Sequence, residues 1–227
     1  MLRQKFDQEL QRLQDEVLVL GDLVEKALVR SVEMLKQQDL AGARQLVAAD
    51  RLINERRYAL EAETIALIAT QQPMAGDMRL LAAILEIITE RERIGDYAKG
   101  IARITLAVGG KPLIKPIVDL PVMACQACAM LRQALDAFVH KDVALARAIP
   151  RRDDEIDALY NQVFRDLLSC IISDAGAIEQ ATYLLWAAHN LERTADRVIN
   201  ICERVVYTVT GEMHELDVDD AGPESLA

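Results

Sequence analysis

The chain contains an internal repeat, and this repeat constrains the fold more than any other feature. A shift of 103 residues places 39–44 on 142–147, and both segments read Asp-x-Ala-x-Ala-Arg. A shift of 100 residues then aligns Glu92–Asp96 with Glu192–Asp196. The small change of offset is what one loop of different length produces. Two tandem copies of one structural unit are therefore expected.

Breaks in the apolar pattern divide each copy into three segments. Only 4% of the residues are aromatic, and long stretches are rich in good helix formers, which favours helices over strands. Helices are predicted near residues 3–37, 40–70, 76–107, 120–140, 143–172 and 175–210. A linker with two Gly and two Pro residues, 108–116, joins the copies. Pro150 should kink the fifth helix or delay its regular start.

The predicted fold is all-α, with two tandem three-helix bundles lying side by side. The first repeat is placed at 1–110, and the linker and second repeat at 111–211. Asp119 is expected to cap the fourth helix. Leu80, Ile84, Ile87, Ile94 and Ile101, together with Leu184, Leu191, Val198, Ile201 and Val205, recur at helical spacing and are the predicted core.

Charge is concentrated at the C-terminal end. Six of the carboxylates behind the net charge of −10 follow Arg204, and no Lys or Arg does. Residues 212–227 are therefore expected to form an acidic, disordered tail. The chain has no basic stripe of the kind that displaces counterions from nucleic acid, so nucleic acid is not an expected partner.

The sequence indicates a cytoplasmic protein without a membrane span. No apolar run follows the charges after Met1, and no window approaches the roughly 20 apolar residues that a span requires. Cys125 and Cys128 form a Cys-x-x-Cys pair without a second pair at zinc-site spacing. Both are expected to be reduced, buried core residues.

Carboxylates occupy positions where an apolar stripe should continue. In the third predicted helix a stripe ending at Ile88 runs into Glu92 and Asp96, and the sixth repeats this with Glu192 and Asp196. Two carboxylates four residues apart repel each other on a helix and are costly when half-buried without a counter-charge. Something that compensates these carboxylates is therefore expected.

The second and fifth predicted helices carry related pairs at the same spacing, Asp50 with Asn54 and Asp153 with Asp157. Oxygen ligands converging from two helices are typical of Mg²⁺, Mn²⁺, Fe or Zn²⁺ sites. The alternative is that the acids lie on solvated faces and pair with nearby arginines. The candidates for that pairing are Arg51, Arg56, Arg91 and Arg197.

No motif supports catalysis. The Glu-x-x-His pattern of di-iron bundle enzymes is missing, although His189 lies three residues before Glu192 and faces the same stripe. The sequence also lacks a Gly-rich phosphate loop and a nucleophile elbow.

Four segments together resemble the PhoU family of phosphate transport system accessory proteins. In the first copy these are Gln72–Leu80, which reads QPMAGDMRL, and Glu92–Asp96, which reads ERIGD. In the second they are Leu191–Ile201, which reads LERTADRVINI, and Val209–Glu212. The similarity runs from the first helix to Glu212.

The resemblance implies a six-helix, two-repeat fold that is frequently dimeric and whose E/D-x-x-x-D motifs ligate multinuclear iron or zinc. Asn54 departs from an all-acid set, and Thr194-Ala195 replaces the family's more typical Ile-Gly. The implied ligands are Asp50, Glu92, Asp96, Asp153, Asp157, Glu192 and Asp196.

The resemblance also implies a role. Family members damp phosphate import when phosphate is plentiful, through contacts with the ATPase subunit of the phosphate importer and with the phosphate-sensing histidine kinase. A metal-dependent carboxylate-bundle enzyme and a metal-free helical scaffold remain alternative interpretations.

Overall fold

The computed structural model describes residues 2–216, and within that range it is helical without a strand. The all-α prediction is confirmed. The helices are α1 Leu2–Gln37, α2 Leu40–Gln71, α3 Ala75–Val108, α4 Asp119–His140, α5 Val143–Ala148, α6 Asp153–Ser173 and α7 Ile178–Thr210.

The first turn of each repeat is built in the same way. Gln38 and Lys141, which correspond under the shift of 103, both have left-handed backbones, with φ of 55° and 54°. The next residue in each copy, Asp39 or Asp142, caps the following helix, and its carboxylate accepts the backbone N–H three residues on at 2.9 Å. The repeat seen in the sequence is therefore a repeat of local structure.

The starts of α4 and α6 differ from the predicted helix boundaries. The predicted fifth helix is interrupted at Pro150, where a 3₁₀ turn, Pro150–Arg152, separates α5 from α6. Proline lacks the N–H that a continuous helix would use, so the break is expected. The prediction that Asp119 caps α4 is wrong. Asp119 is the first residue of the helix, and Val118 stands at the cap position.

Helices α3 and α7 pack antiparallel at the centre of the molecule. Glu90 of α3 accepts a hydrogen bond from Asn200 of α7 at 3.3 Å. Gly100 lies opposite Asn190, whose Nδ2 would be 2.9 Å from a Cβ added at that glycine. The shift of 100 converts each of these contacts into the other. The two helices are therefore related by a local two-fold axis.

The predicted core residues are buried, and they form one continuous cluster. Side chains from α1 and α3 in the first repeat belong to the same cluster as those from α4 and α7 in the second. The two three-helix units therefore share a core rather than enclosing separate ones. The limits 1–110 and 111–211 remain predictions.

Helix α4 is the one described helix long and apolar enough to cross a membrane. However, 56% of its apolar window is buried inside the protein, as in the core helix of a soluble bundle. Residues 212–216 lack regular structure but lie against α7, where the Leu216 N–H donates to a carboxylate oxygen of Glu203 at 3.0 Å. The remainder of the predicted tail, 217–227, lies outside the described residues.

The cysteine prediction is half wrong. Cys128 is buried, and burial raises its thiol pKa to about 12, but Cys125 is exposed. The two residues are three apart on α4, and only Cys128 lies on the face that packs against the core.

Arg91 of α3 is a fully buried guanidinium. None of its three side-chain nitrogens has a hydrogen-bond partner in the described part of the chain, and burial lowers its pKa to about 9. Gly21 of α1 makes room for it, because a Cβ there would lie 2.5 Å from Arg91 Nη2. The shift of 100 aligns Arg91 with Leu191, which is also fully buried.

We expect Arg91→Leu to raise the free energy of unfolding by about 1–4 kcal/mol, because an apolar side chain avoids the cost of desolvating the charge. Urea denaturation followed by circular dichroism measures this. Arg103→Leu, at an exposed position of the same helix, is the matched control and should change stability by less than about 0.5 kcal/mol. A loss of stability in Arg91→Leu would contradict the prediction.

Candidate functional site

Two groups of carboxylates lie at equivalent places in the two repeats. The first cluster consists of Asp50 on α2 with Glu92 and Asp96 on α3. The second cluster consists of Asp153 and Asp157 on α6 with Glu192 and Asp196 on α7. The structure thus brings together the predicted residues of each repeat, but the two clusters differ in how their charge is balanced.

In the second cluster, burial and the neighbouring carboxylates raise the pKa of Asp153, Asp157 and Glu192. Burial, followed by the charges of Asp157, Asp196 and Glu192, raises the pKa of Asp153 to about 7. Burial and the neighbouring Asp196 also raise the pKa of Asp157 and of Glu192. Carboxylates are therefore in excess over cations here.

Two oxygen atoms of the second cluster have no hydrogen-bond partner among residues 2–216. They are Asp153 Oδ1 and Glu192 Oε2, and both are buried. Glu192 Oε2 lies 3.1 Å from His189 Nδ1, and the two form an ion pair when the imidazole is protonated. Arg193 is the nearby cation, and it pairs with Asp196 at 3.0 Å.

The first cluster has its own cation. The Lys99 ammonium donates to Asp50 Oδ2 at 2.6 Å and lies 3.4 Å from Asp96 Oδ1. The Asn54 amide donates to the same Asp50 oxygen at 3.2 Å. Asp50 is only 5% exposed, so these contacts satisfy a carboxylate that water cannot reach well.

Glu92 lies beside this ion pair. Burial, and next the charge of Asp96, raises the pKa of Glu92, while the guanidinium of Arg57 acts in the opposite direction. Glu92 is half-buried between α2 and α3.

The arginines suggested as counter-charges do not serve either cluster. Arg91 is buried without a hydrogen-bond partner, as described above. The other three pair with glutamates elsewhere: Arg51 with Glu55, Arg56 with Glu16, and Arg197 with Glu90. Lys99 was missed in the sequence, although its position three residues after Asp96 places it on the same helical face.

The described side chains fit a metal unequally in the two repeats. In the part of the chain that the structure describes, no group of three or more His, Cys, Asp or Glu side chains is arranged so that it could hold a metal ion. The second cluster nevertheless supplies the right donors, because hard carboxylate oxygens are present and two are buried without partners. In the first cluster an ammonium already occupies the space between Asp50 and Asp96.

The raised pKa of Asp153 predicts a pH effect on metal-free protein. The folded state holds this proton up to about pH 7, whereas the ordinary pKa is 3.8. The proton therefore stabilises the fold at low pH, and that stabilisation is lost as pH rises between these values. Asp153→Asn removes it, so with chelator present the variant should lose less thermal stability between pH 4.5 and 7.5 than the parent.

Thermal melts followed by circular dichroism measure this difference. Asp15→Asn, at an exposed position of α1, is the control and should follow the parent. Parallel stability curves for Asp153→Asn and the parent would contradict the assigned burial of Asp153.

Comparison with known proteins identifies relatives along most of the chain. A family model described as the PhoU domain matches residues 17–105 and again 120–205. A protein of Clostridium acetobutylicum named phosphate-specific transport system accessory protein PhoU homolog is 32% identical over 218 residues, which are 96% of this chain and 100% of that protein. The Escherichia coli protein named phosphate-specific transport system accessory protein PhoU is 32% identical over 208 residues, 92% of this chain and 86% of that protein.

Solved structures show the same architecture. The crystal structure of the phosphate transport system regulatory protein PhoU from Streptococcus pneumoniae matches with a TM-score of 0.85 at 31% identity, covering 92% of this chain and 99% of that one. The crystal structure of PhoU from Pseudomonas aeruginosa matches with a TM-score of 0.84 at 32% identity, covering 91% of this chain and 100% of that one. The agreement extends over both repeats.

Proposed function

Because the chain belongs to the PhoU family, we propose that it is a negative regulator of phosphate uptake that restrains the phosphate importer when phosphate is plentiful. The observation that carries the proposal is the match to the PhoU domain in both repeats, together with relatives named as accessory proteins of phosphate transport. An accessory role agrees with a helical bundle whose motifs suggest no reaction.

The proposed partners are the ATPase subunit of the phosphate importer and the phosphate-sensing histidine kinase. Both present cytoplasmic surfaces, so the protein acts from the cytoplasm. It acts as an adaptor, binding a partner in one state and releasing it in another. We further propose a homodimer, which light scattering on the purified protein tests directly.

Co-purification with each partner at high and low phosphate tests the regulatory role. We expect both partners to be recovered, with the amount bound changing with phosphate. A strain lacking the protein should continue to import phosphate in phosphate-rich medium, and the parent gene should restore restraint. Absence of both partners at every phosphate level, with unchanged import in the deletion strain, would refute the proposal.

The second cluster is the proposed metal centre, for multinuclear iron or zinc. Asp153, Asp157, Glu192 and Asp196 would hold the metal. When bound, the metal would supply positive charge to a cluster in which carboxylates outnumber cations. The support is the pair of buried, unpartnered oxygens on Asp153 and Glu192 and the excess of carboxylates around them.

Metal content tests this proposal. Protein purified without a tag or chelator should contain iron or zinc by mass spectrometry, and Glu192→Gln with Asp196→Asn should remove most of it, because the ligands lose their charge. Glu179→Gln, at the exposed start of α7, is the control and should retain the metal. Equal, near-zero metal in parent and variant would leave the second cluster as an ordinary acidic surface.

A further inference from the structure

We propose that Lys99 is the permanent counter-cation of the first cluster, and that metal binding in this chain is therefore confined to the second repeat. The inference rests on the metal binding proposed above for the second cluster. It departs from the two equivalent sites that the paired motifs imply, because Asp50, Glu92 and Asp96 would not act as metal ligands.

The side chain of Lys99 extends from α3 towards α2. Its ammonium lies between carboxylates from two helices, 2.6 Å from Asp50 on α2 and 3.4 Å from Asp96 on α3. This is the position between two ligand helices that a bridging cation would occupy. The Lys99 side chain is only 21% exposed, so water screens the interaction weakly.

The ion pair between Lys99 and Asp50 is fully formed. Asp50 Oδ2 accepts hydrogen bonds from both Lys99 and Asn54. The same ammonium also donates to Asp96 Oδ1 at 3.4 Å. A metal entering the first cluster would have to break a nearly buried ion pair, and breaking such a pair is strongly unfavourable.

The equivalent positions of the second repeat carry different residues. The shift of 100 aligns Lys99 with Ile199, and the shift of 103 aligns Asn54 with Asp157. The first cluster therefore has three carboxylates around one ammonium. The second has four carboxylates, and an apolar, buried Ile199 stands at the position of the lysine.

Another neighbour changes in the same direction. Arg57, whose charge opposes the rise in the pKa of Glu92, aligns with the uncharged Tyr160 under the shift of 103. Tyr160 instead packs near His189, with ring centroids 6.2 Å apart. At these three aligned positions the first repeat has the more positive or less negative residue, whereas the cations beside the second cluster, His189 and Arg193, each contact one acid. The unpartnered oxygens of Asp153 and Glu192 occur in the other repeat.

The aligned repeats supply their own test, because each cluster can be given the residue of the other. Lys99→Ile with Asn54→Asp gives the first cluster the residues of the second at both positions, and Ile199→Lys gives the second cluster the lysine of the first. Ile199→Met controls for the change of shape at this buried position. The full chain is treated with chelator and reloaded with Zn²⁺. The zinc bound per chain is then measured by mass spectrometry, and thermal stability with and without Zn²⁺ by circular dichroism.

We expect Lys99→Ile with Asn54→Asp to bind about one or more additional zinc ions per chain, because the first cluster then lacks its own cation. Its melting temperature should fall in chelator and recover with zinc, since Asp50 is left without its partner. Ile199→Lys should lose most of the zinc of the parent while Ile199→Met retains it. A melt without zinc that matches the parent shows that Ile199→Lys is folded.

The outcomes separate this inference from the proposed metal centre. Zinc lost from the parent by Glu92→Gln, but retained in Glu192→Gln, would overturn the inference while leaving metal binding intact. No additional zinc in Lys99→Ile with Asn54→Asp would overturn it as well. A parent without zinc, beside a converted first cluster that binds it, would support the role of Lys99 and refute the metal centre in the second repeat.

Discussion

The antiparallel contact between α3 and α7 is the interaction on which the rest of the structure depends. At its centre Glu90, only 6% exposed, accepts hydrogen bonds from Arg93 on its own helix and from Arg197 and Asn200 on the partner helix. A buried carboxylate requires such partners. Because the acidic motifs of α3 and α7 lie within the stretches that cross here, the contact joining the repeats also positions both clusters.

Much of this arrangement follows from the sequence, because helical periodicity and the duplicated segments are properties of the chain itself. The stripes that include Ile84 on α3 and Leu184 on α7 are buried as predicted, and Pro150 interrupts the predicted fifth helix. The partner of a long side chain is a different matter. Lys99 reaches Asp50, 49 residues away, and Arg91 enters the space left by Gly21. No local sequence pattern predicts either contact, since each depends on how separate helices are packed.

Duplication gives the two repeats the same backbone frame but does not keep their charges equal. Asp50 and Asp153 occupy matching helices, yet one is neutralised by a lysine and the other is crowded by carboxylates. The free energy of burying charge is large enough that a single residue at a neighbouring position decides which arrangement is stable. Similar shape in the two halves therefore does not imply equal chemistry, and the carboxylate motif alone is an incomplete guide to it.

Because of the break at Pro150, Asp50 and Asp153 also differ in the backbone structure around them. Asp50 lies in the interior of the continuous helix α2, whereas Asp153 is the first residue of α6, directly after the 3₁₀ turn. A helix interior is held by hydrogen bonds on both sides, but a helix end frays and re-forms at little cost in free energy. A charge bound at Asp153 therefore acts at the junction of two helical segments, where the Asp153 N–H donates to the Pro150 carbonyl. A charge bound at Asp50 acts within one continuous helix, so the two repeats place the same acid in different backbone settings.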